Sequence, residues 1–368
     1  MFYRCLPHAV HAPATDRGAK RTVRRGNKSL TVDIHCHFVS QRATDLAKPH
    51  FTPDKESAMR YATPLTREIL LKQNERIWPT ITGTELRLKD MDRMGIDVQA
   101  VSPGPTQYYY WLDPEIGRAA ARMVNDDLAA LCARHPDRLV AMGTVPMQEP
   151  RLAVAELERC VKELGMRGIE ISSHVNGVEL SAPAFAPFWA KAEELGILVF
   201  LHPLGTPEGS RLAKHYFNNV IANPMEATIA VGHLIFDGVL DRHPGLKLCV
   251  AHGGGYVSHY FGRMDHTFRA REDGHVVIKR HPSEYLARLY FDTVLFDPRQ
   301  LEHLVACWGA DRIVLGTDYP YDMAEADPVG FVGRAKGLSA SDRAKIRGLN
   351  AAKLLGLKVA AKPARGRP

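Results

Sequence analysis

No apolar run in this chain approaches the roughly 18 consecutive residues that a membrane-spanning helix needs, so no bilayer crossing and no membrane partner is expected. Cysteine is sparse: six in 368 residues (Cys5, Cys36, Cys132, Cys160, Cys249, Cys307), scattered and without a Cys-x-x-Cys pair. In a chain this long that excludes a disulfide framework and makes a reducing cytoplasm the expected compartment. No Gly-x-Gly-x-x-Gly follows the first strand-like stretch, which argues against a dinucleotide-binding open sheet. A basic body is also missing. The formal net charge is +7, yet residues 1–30 carry +6 and residues 356–368 carry +4, leaving about −3 for everything between. The excess belongs to two tails, so nucleic acid is not an expected partner.

The tails read as basic extensions without defined structure. The N-terminal one is Arg-rich and nearly free of acidic residues, as a transit peptide would be, but it shows no convincing apolar face. It therefore reads as an unstructured extension or as a start codon placed too early. Between the tails, 45% hydrophobic and 24% charged residues are enough to build an ordinary globular core. Length alone would suggest two domains. The pattern suggests one, over residues 31–355. Strand-like stretches at 31–38, 96–101, 138–145, 168–172, 197–201, 246–251, 289–293 and 313–317 each precede a helical stretch. The first helical stretch, Glu85–Met94, is closed by Gly95; the last runs over 341–355. Alternation of this kind implies a parallel sheet. Short apolar strands such as Ile197–Leu201 imply burial on both faces. Eight units with no reversal point favour a closed (β/α)8 barrel of the TIM type over an open sheet. A long segment inserted after the first strand, about Ser40 to Gly83 with Pro49, Pro53, Pro64 and Pro79, reads as a functional loop.

In such a barrel, functional groups stand at the C-terminal ends of the strands. His35 and His37 end the first strand, two apart and so on one face, with Cys36 pointing the other way. His202 ends the fifth strand, His252 the sixth and Asp318 the eighth. Singly, each has a plain alternative: His202 before Pro203 as a turn residue, His252 as the start of the Gly253–Gly255 loop, Asp318 as a cap or turn former. Together they place imidazoles and a carboxylate at one mouth, the donor mix of a catalytic zinc site with an open position.

The segments Asp33-Ile34-His35-Cys36-His37, Phe200-Leu201-His202-Pro203, Ala251-His252-Gly253-Gly254-Gly255 and Leu315-Gly316-Thr317-Asp318-Tyr319-Pro320 resemble the amidohydrolase superfamily. Within it they resemble the decarboxylase branch, of the aminocarboxymuconate-semialdehyde decarboxylase type. Met91-Asp92, Gly95-Ile96-Asp97-Val98-Gln99 and Pro282-Ser283-Glu284-Tyr285 fit the same pattern. The resemblance implies that His35, His37, His202 and Asp318 hold one divalent metal, with Zn²⁺ favoured and Mn²⁺ or Co²⁺ as alternatives. Members with two metals carry a lysine at the end of strand 4. Here that stretch is Glu170-Ile171-Ser172-Ser173-His174, so a single metal is expected. His252 is the implied acid/base group, and His174 is expected to line the pocket.

The implied activity is a carboxy-lyase: non-oxidative decarboxylation of a small unsaturated or aromatic acid. To avoid a free vinyl or aryl carbanion, the carbon bearing the carboxylate must first become tetrahedral. Either hydroxide addition or protonation by Asp318 or His252 would achieve this, and the residues do not choose between them. The substrate carboxylate also needs a cation, best met by arginine. Arg263, in Gly262-Arg263-Met264-Asp265, matches a family arginine supplied to a neighbouring subunit's site, which implies a homodimer; Arg76, near Trp78, is a further candidate. Two other classes share the ligand set: a metal-dependent hydrolase of a lactone, amide or ester, and a non-catalytic metal-binding protein. The extra His252 and the open position count against the second.

Overall fold

The structure is a computed structural model that describes residues 22–23 and 29–359. Eight parallel strands form its centre: β1 Val32–Phe38, β2 Val98–Pro103, β3 Leu139–Gly143, β4 Gly168–Ile171, β5 Leu198–Leu201, β6 Lys247–Val250, β7 Tyr290–Asp292 and β8 Ile313–Val314. They neighbour one another in chain order. The seam between β8 and β1 closes just beyond the formal end of β8. Ile34 N donates to Leu315 O at 2.9 Å, His37 N to Tyr319 O at 2.8 Å, and Thr317 N and Asp318 N both donate to His35 O at 3.2 and 2.8 Å. The barrel expected from the strand–helix alternation is the one observed.

Strand periodicity sorts the side chains. Val98, Ala100, Val140, Met142, Leu198, Phe200, Cys249 and Ala251 belong to one apolar cluster inside the barrel. Their sequence neighbours Val101, Leu139, Ala141, Val199, Leu201, Leu248 and Val250 pack outward against helix residues such as Leu128, Leu157, Trp189 and Leu234. The helix Glu85–Met94 ends as expected at Gly95, which takes the left-handed φ of 73° that a side chain disfavours. Among the described residues no helix is long and apolar enough to cross a membrane.

Three expectations need correction. The inserted segment is largely helical, with α1 Gln41–Ala47, α2 Ser57–Arg60 and α3 Pro64–Thr82. Its prolines misled. Pro64 stands in the first turn of α3, where a missing N–H costs nothing, behind the N-cap Thr63, whose side chain accepts from Thr66 N. Pro79 falls in the last turn. The final helical stretch is broken, with a π-helical turn at Lys345–Leu349 between Ala340–Ala344 and Asn350–Leu354. Finally, Thr22–Val23 and Lys358–Val359 pair in parallel, against the expectation of tails without structure. The rest of both tails lies outside the described residues.

Candidate metal centre and active site

His35, His37, His202 and Asp318 converge at one end of the barrel, all buried, with one potential ligand atom from each lying within 4.8 Å of the others. The imidazole rings pack edge to face, with centroids 5.1 Å apart for His35–His37, 4.9 Å for His35–His202 and 5.1 Å for His37–His202. His252 joins them, 4.9 Å from the His202 ring and 5.3 Å from that of His35.

Hydrogen bonds fix which ring nitrogens face the centre. His35 Nδ1 is 2.6 Å from Asp292 Oδ2, and His37 Nδ1 is 3.0 Å from the carbonyl of Pro103. Both acceptors require the Nδ1–H tautomer, which leaves the Nε2 lone pairs pointing inward. There they meet the Asp318 carboxylate, with Oδ1 at 3.3 Å from His35 Nε2 and 3.2 Å from His37 Nε2. Electron-rich atoms at that separation need a cation or a proton between them. The electrostatics agree. Burial disfavours a charged His35, yet its hydrogen bonds with Asp292 and Asp318 outweigh burial and raise its pKa to about 10. Burial raises the Asp318 pKa, but His35 and His37 overcome that and hold it well below the ordinary carboxylate range. Neither ring nitrogen of His202 has a partner among the described residues, and burial with nearby imidazoles pushes its pKa well down. A buried imidazole with two idle nitrogens beside an ionised carboxylate is a donor set waiting for a metal; a divalent cation fits it.

Supporting residues hold these groups in place. Asp292, at the end of β7, orients His35 and also accepts from Gly253 N at 2.9 Å, so it tethers the His252 loop as well. In that loop Gly255 has φ 64°, and a Cβ there would come within 2.1 Å of Pro224 O, which restricts the position to glycine. Arg87 is completely buried; it donates to the backbone carbonyl of His37 and to Gln99 Oε1. Asp33 accepts from His35 N, Gln99 and Thr317, while burial lifts its pKa to about 6. Glu170 stands on β4 and is completely buried. It accepts from Tyr108 Oη at 2.7 Å, and its second oxygen lies 3.9 Å from His37 Nδ1. His252 Nδ1 has no partner among the described residues; burial, then the charge of His35, lowers the ring's pKa, which favours the neutral form.

A cavity of about 430 Å³ leads from this cluster to the surface, with His202 and Asp318 in its wall and much of the remaining lining supplied by α1, α2 and α3. Lys48 is the one lysine or arginine among the described residues lining it. The structure does not bring the other expected substrate residues into this wall. Arg76 lies on the exposed side of α3, whose buried residues are Gln73, Ile77 and Ile81. Arg263 is exposed on the helix Val257–Ala270. His174 is buried in a small hairpin, where its Nδ1 accepts from Gly177 N at 3.1 Å; burial and Arg60 lower its pKa to about 4, and it does not line this cavity. Asp292, Glu170 and Arg87 were not singled out from sequence. Asp292 could have been, because it ends a strand as His202 does. The partnership of Arg87 with a carbonyl 50 residues away leaves no local signal.

Residues 32–357 match the family profile described as Amidohydrolase. The 2-amino-3-carboxymuconate-6-semialdehyde decarboxylase of Dictyostelium discoideum is 30% identical over 336 residues, 90% of this chain and 92% of that protein. Among solved structures, 5-carboxyvanillate decarboxylase from Sphingomonas paucimobilis superposes with a TM-score of 0.80 at 24% identity, covering 90% of this chain and all of that one. A dihydroxybenzoic acid decarboxylase from a Polaromonas species, solved with manganese and the inhibitor 2-nitroresorcinol, gives a TM-score of 0.74 at 25% identity, covering 89% of this chain and 97% of that one.

Proposed function

The chain belongs to the amidohydrolase family, and from that premise we propose that it is a metal-dependent, non-oxidative decarboxylase of a small unsaturated or aromatic carboxylic acid. The observation that carries this reading is the buried His35–His37–His202–Asp318 cluster opening into a largely apolar cavity, in a chain whose relatives include several decarboxylases. These four residues would hold one divalent ion. Three neutral imidazoles and one carboxylate favour Zn²⁺, and Mn²⁺ or Co²⁺ accept the same donors. Such an ion supplies Lewis acidity toward substrate oxygens.

The protein's own groups do the rest. Asp292 and the Pro103 carbonyl keep His35 and His37 in the tautomer that faces inward. His252, neutral and beside the cluster, can take a proton and return it. The carbon bearing the carboxylate becomes tetrahedral when a proton that His252 has taken up reaches it. The bond to the carboxylate then breaks, CO2 leaves, and the bonding pair stays with the substrate and restores its conjugation. A proton has replaced CO2 and no redox partner is needed. The apolar lining keeps bulk water away from the charge that develops.

Arg263 lies away from its own cavity, so it can serve a site only in a second copy of the chain. Its helix also presents Tyr260, 57% exposed, next to Tyr256. Both features support a homodimer in which Arg263 meets the partner's substrate. The test of function is a panel of carboxylated muconate semialdehydes and hydroxybenzoates, read by absorbance loss and CO2 release. One member should lose CO2 only with metal-loaded protein. Turnover of lactones, amides or esters without CO2 from any acid would refute the reading.

A further inference from the structure

Glu56 precedes α2 and stands out from its surroundings. Residues 51–55 are all exposed, whereas Glu56 is only 6% exposed and faces the cavity. Its position is the N-cap of α2, where its carbonyl accepts from Met59 N and Arg60 N. Its side chain makes no cap hydrogen bond. No hydrogen bond or ion pair to that carboxyl occurs among the described residues, and burial alone acts on it, raising its pKa to about 8 with nothing opposing. Its charge, when present, is felt by Tyr109 and Tyr321, and the Tyr321 ring lies 5.3 Å from that of His37. Glu56 thus shares one chamber with the metal-ligand cluster. A buried carboxyl with no protein partner, in a wall whose surface is mostly apolar and includes Met59, Ile77 and Trp78, is costly to fold and gives the chamber an ionisable point, alongside amides such as Asn74 and Asn223, that fixes a ligand's orientation.

We propose that Glu56 is a specificity-determining residue, hydrogen-bonding a hydroxyl or amino substituent carried by the acid whose carboxylate is lost. The proposal rests on the decarboxylase reading and deepens it. A neutral carboxyl offers one O–H donor and one carbonyl acceptor, which matches a hydroxyl or amino group that can both give and take a hydrogen bond. A methyl group, or hydrogen, at that point of the substrate would leave Glu56 buried and unpaired. Discrimination built this way is stronger than discrimination by fit to an apolar surface.

The test is calorimetric binding to the full-length, Zn²⁺-loaded protein, using benzoate, the three hydroxybenzoates and the three aminobenzoates as probes. At least one substituted acid should bind about tenfold tighter than benzoate, the effect of one well-made hydrogen bond to a buried group. Glu56→Leu should abolish that preference and leave benzoate within about twofold, whereas Glu56→Gln, which keeps a donor and an acceptor, should retain most of it. Neither substitution should lower the melting temperature, because no hydrogen bond or ion pair within the protein is lost. The proposal is overturned if Glu56→Leu keeps the preference, if wild type shows none, or if the variant loses benzoate affinity and melting temperature together, which would mark a structural role. If metal-loaded wild type binds none of the acids, benzoate included, the underlying decarboxylase reading fails and the proposal falls with it.

Discussion

The barrel mouth and the cap above it are made differently. At the mouth, every group of the cluster stands on or just beyond a strand, and two of the side chains are held by partners from other strands, His35 by Asp292 and His37 by the Pro103 carbonyl, while Arg87 braces the backbone carbonyl of His37. The cap, α1 to α3, is a single excursion of the chain; its outer face is exposed, with Leu65 and Ile69 open to solvent. The mouth has its chemistry fixed by groups from several strands at once, whereas the cap contributes lining that can change without disturbing the barrel. The contrast assigns reaction type to the mouth and substrate choice to the cap.

If that division is right, the largest effects come from the mouth. His35→Ala or His202→Ala should remove the bound metal and reduce activity by more than about 10³-fold, with metal content read on the purified protein. Two tightly bound ions per wild-type chain would contradict the single-metal assignment. His252→Ala should keep most of the metal and lose about 10²–10⁴-fold in turnover, the usual contribution of acid–base catalysis. Metal loss as ready as that of His35→Ala would instead make His252 a ligand. Asp292→Asn removes the charge that orients His35 and should weaken metal affinity about 10–100-fold by competition with a chelator. Unchanged affinity would show that Asp292 serves only the Gly253 loop.

Between mouth and surface lies the assembly question. Arg263→Ala and His252→Ala, each inactive alone, should recover about a quarter of wild-type activity when mixed in equal amounts. Half of the dimers are then mixed, and each of those has one intact site of two. No recovery, with subunit exchange shown separately, would exclude delivery of Arg263 across an interface. The smallest effect belongs to the cap. Thr63→Ala removes the N-cap of α3 and should cost about 1 kcal/mol of stability while leaving the metal in place. Metal loss in that variant would erase the distinction between the two regions.

The same division explains what could be read in advance. The barrel and its ligand-type residues were legible because each strand is short, apolar and followed by a helix, and because the informative residues occur at one repeated position, the strand end. His37, His202, His252 and Asp318 obey that rule, as does Asp292, which the rule reaches although no motif drew attention to it; His35 stands mid-strand and is reached through its i, i+2 pairing with His37. The cap was not legible. Its helices are marginal by composition, α3 has little apolar periodicity, and prolines at a helix start look the same in sequence as prolines in a loop. Orientation was also out of reach. Whether Arg76 or Gln73 turns inward depends on how α3 docks, which nothing in the local sequence reports. The Arg263 assignment concerns a surface between copies, and a single chain's hydrophobic pattern is silent about that.

The carbonyl oxygen of His35 accepts from both Thr317 and Asp318, so the closing seam of the barrel and two of the metal-facing residues meet at one atom. Architecture and affinity are therefore not independent heritable traits here. A substitution along β1 or β8 that relaxes the closure should therefore also change the separation of His35 and Asp318, and with it the hold on an ion. Drift in the scaffold is consequently exposed to selection through the metal, which gives a remote packing residue on these two strands a functional phenotype.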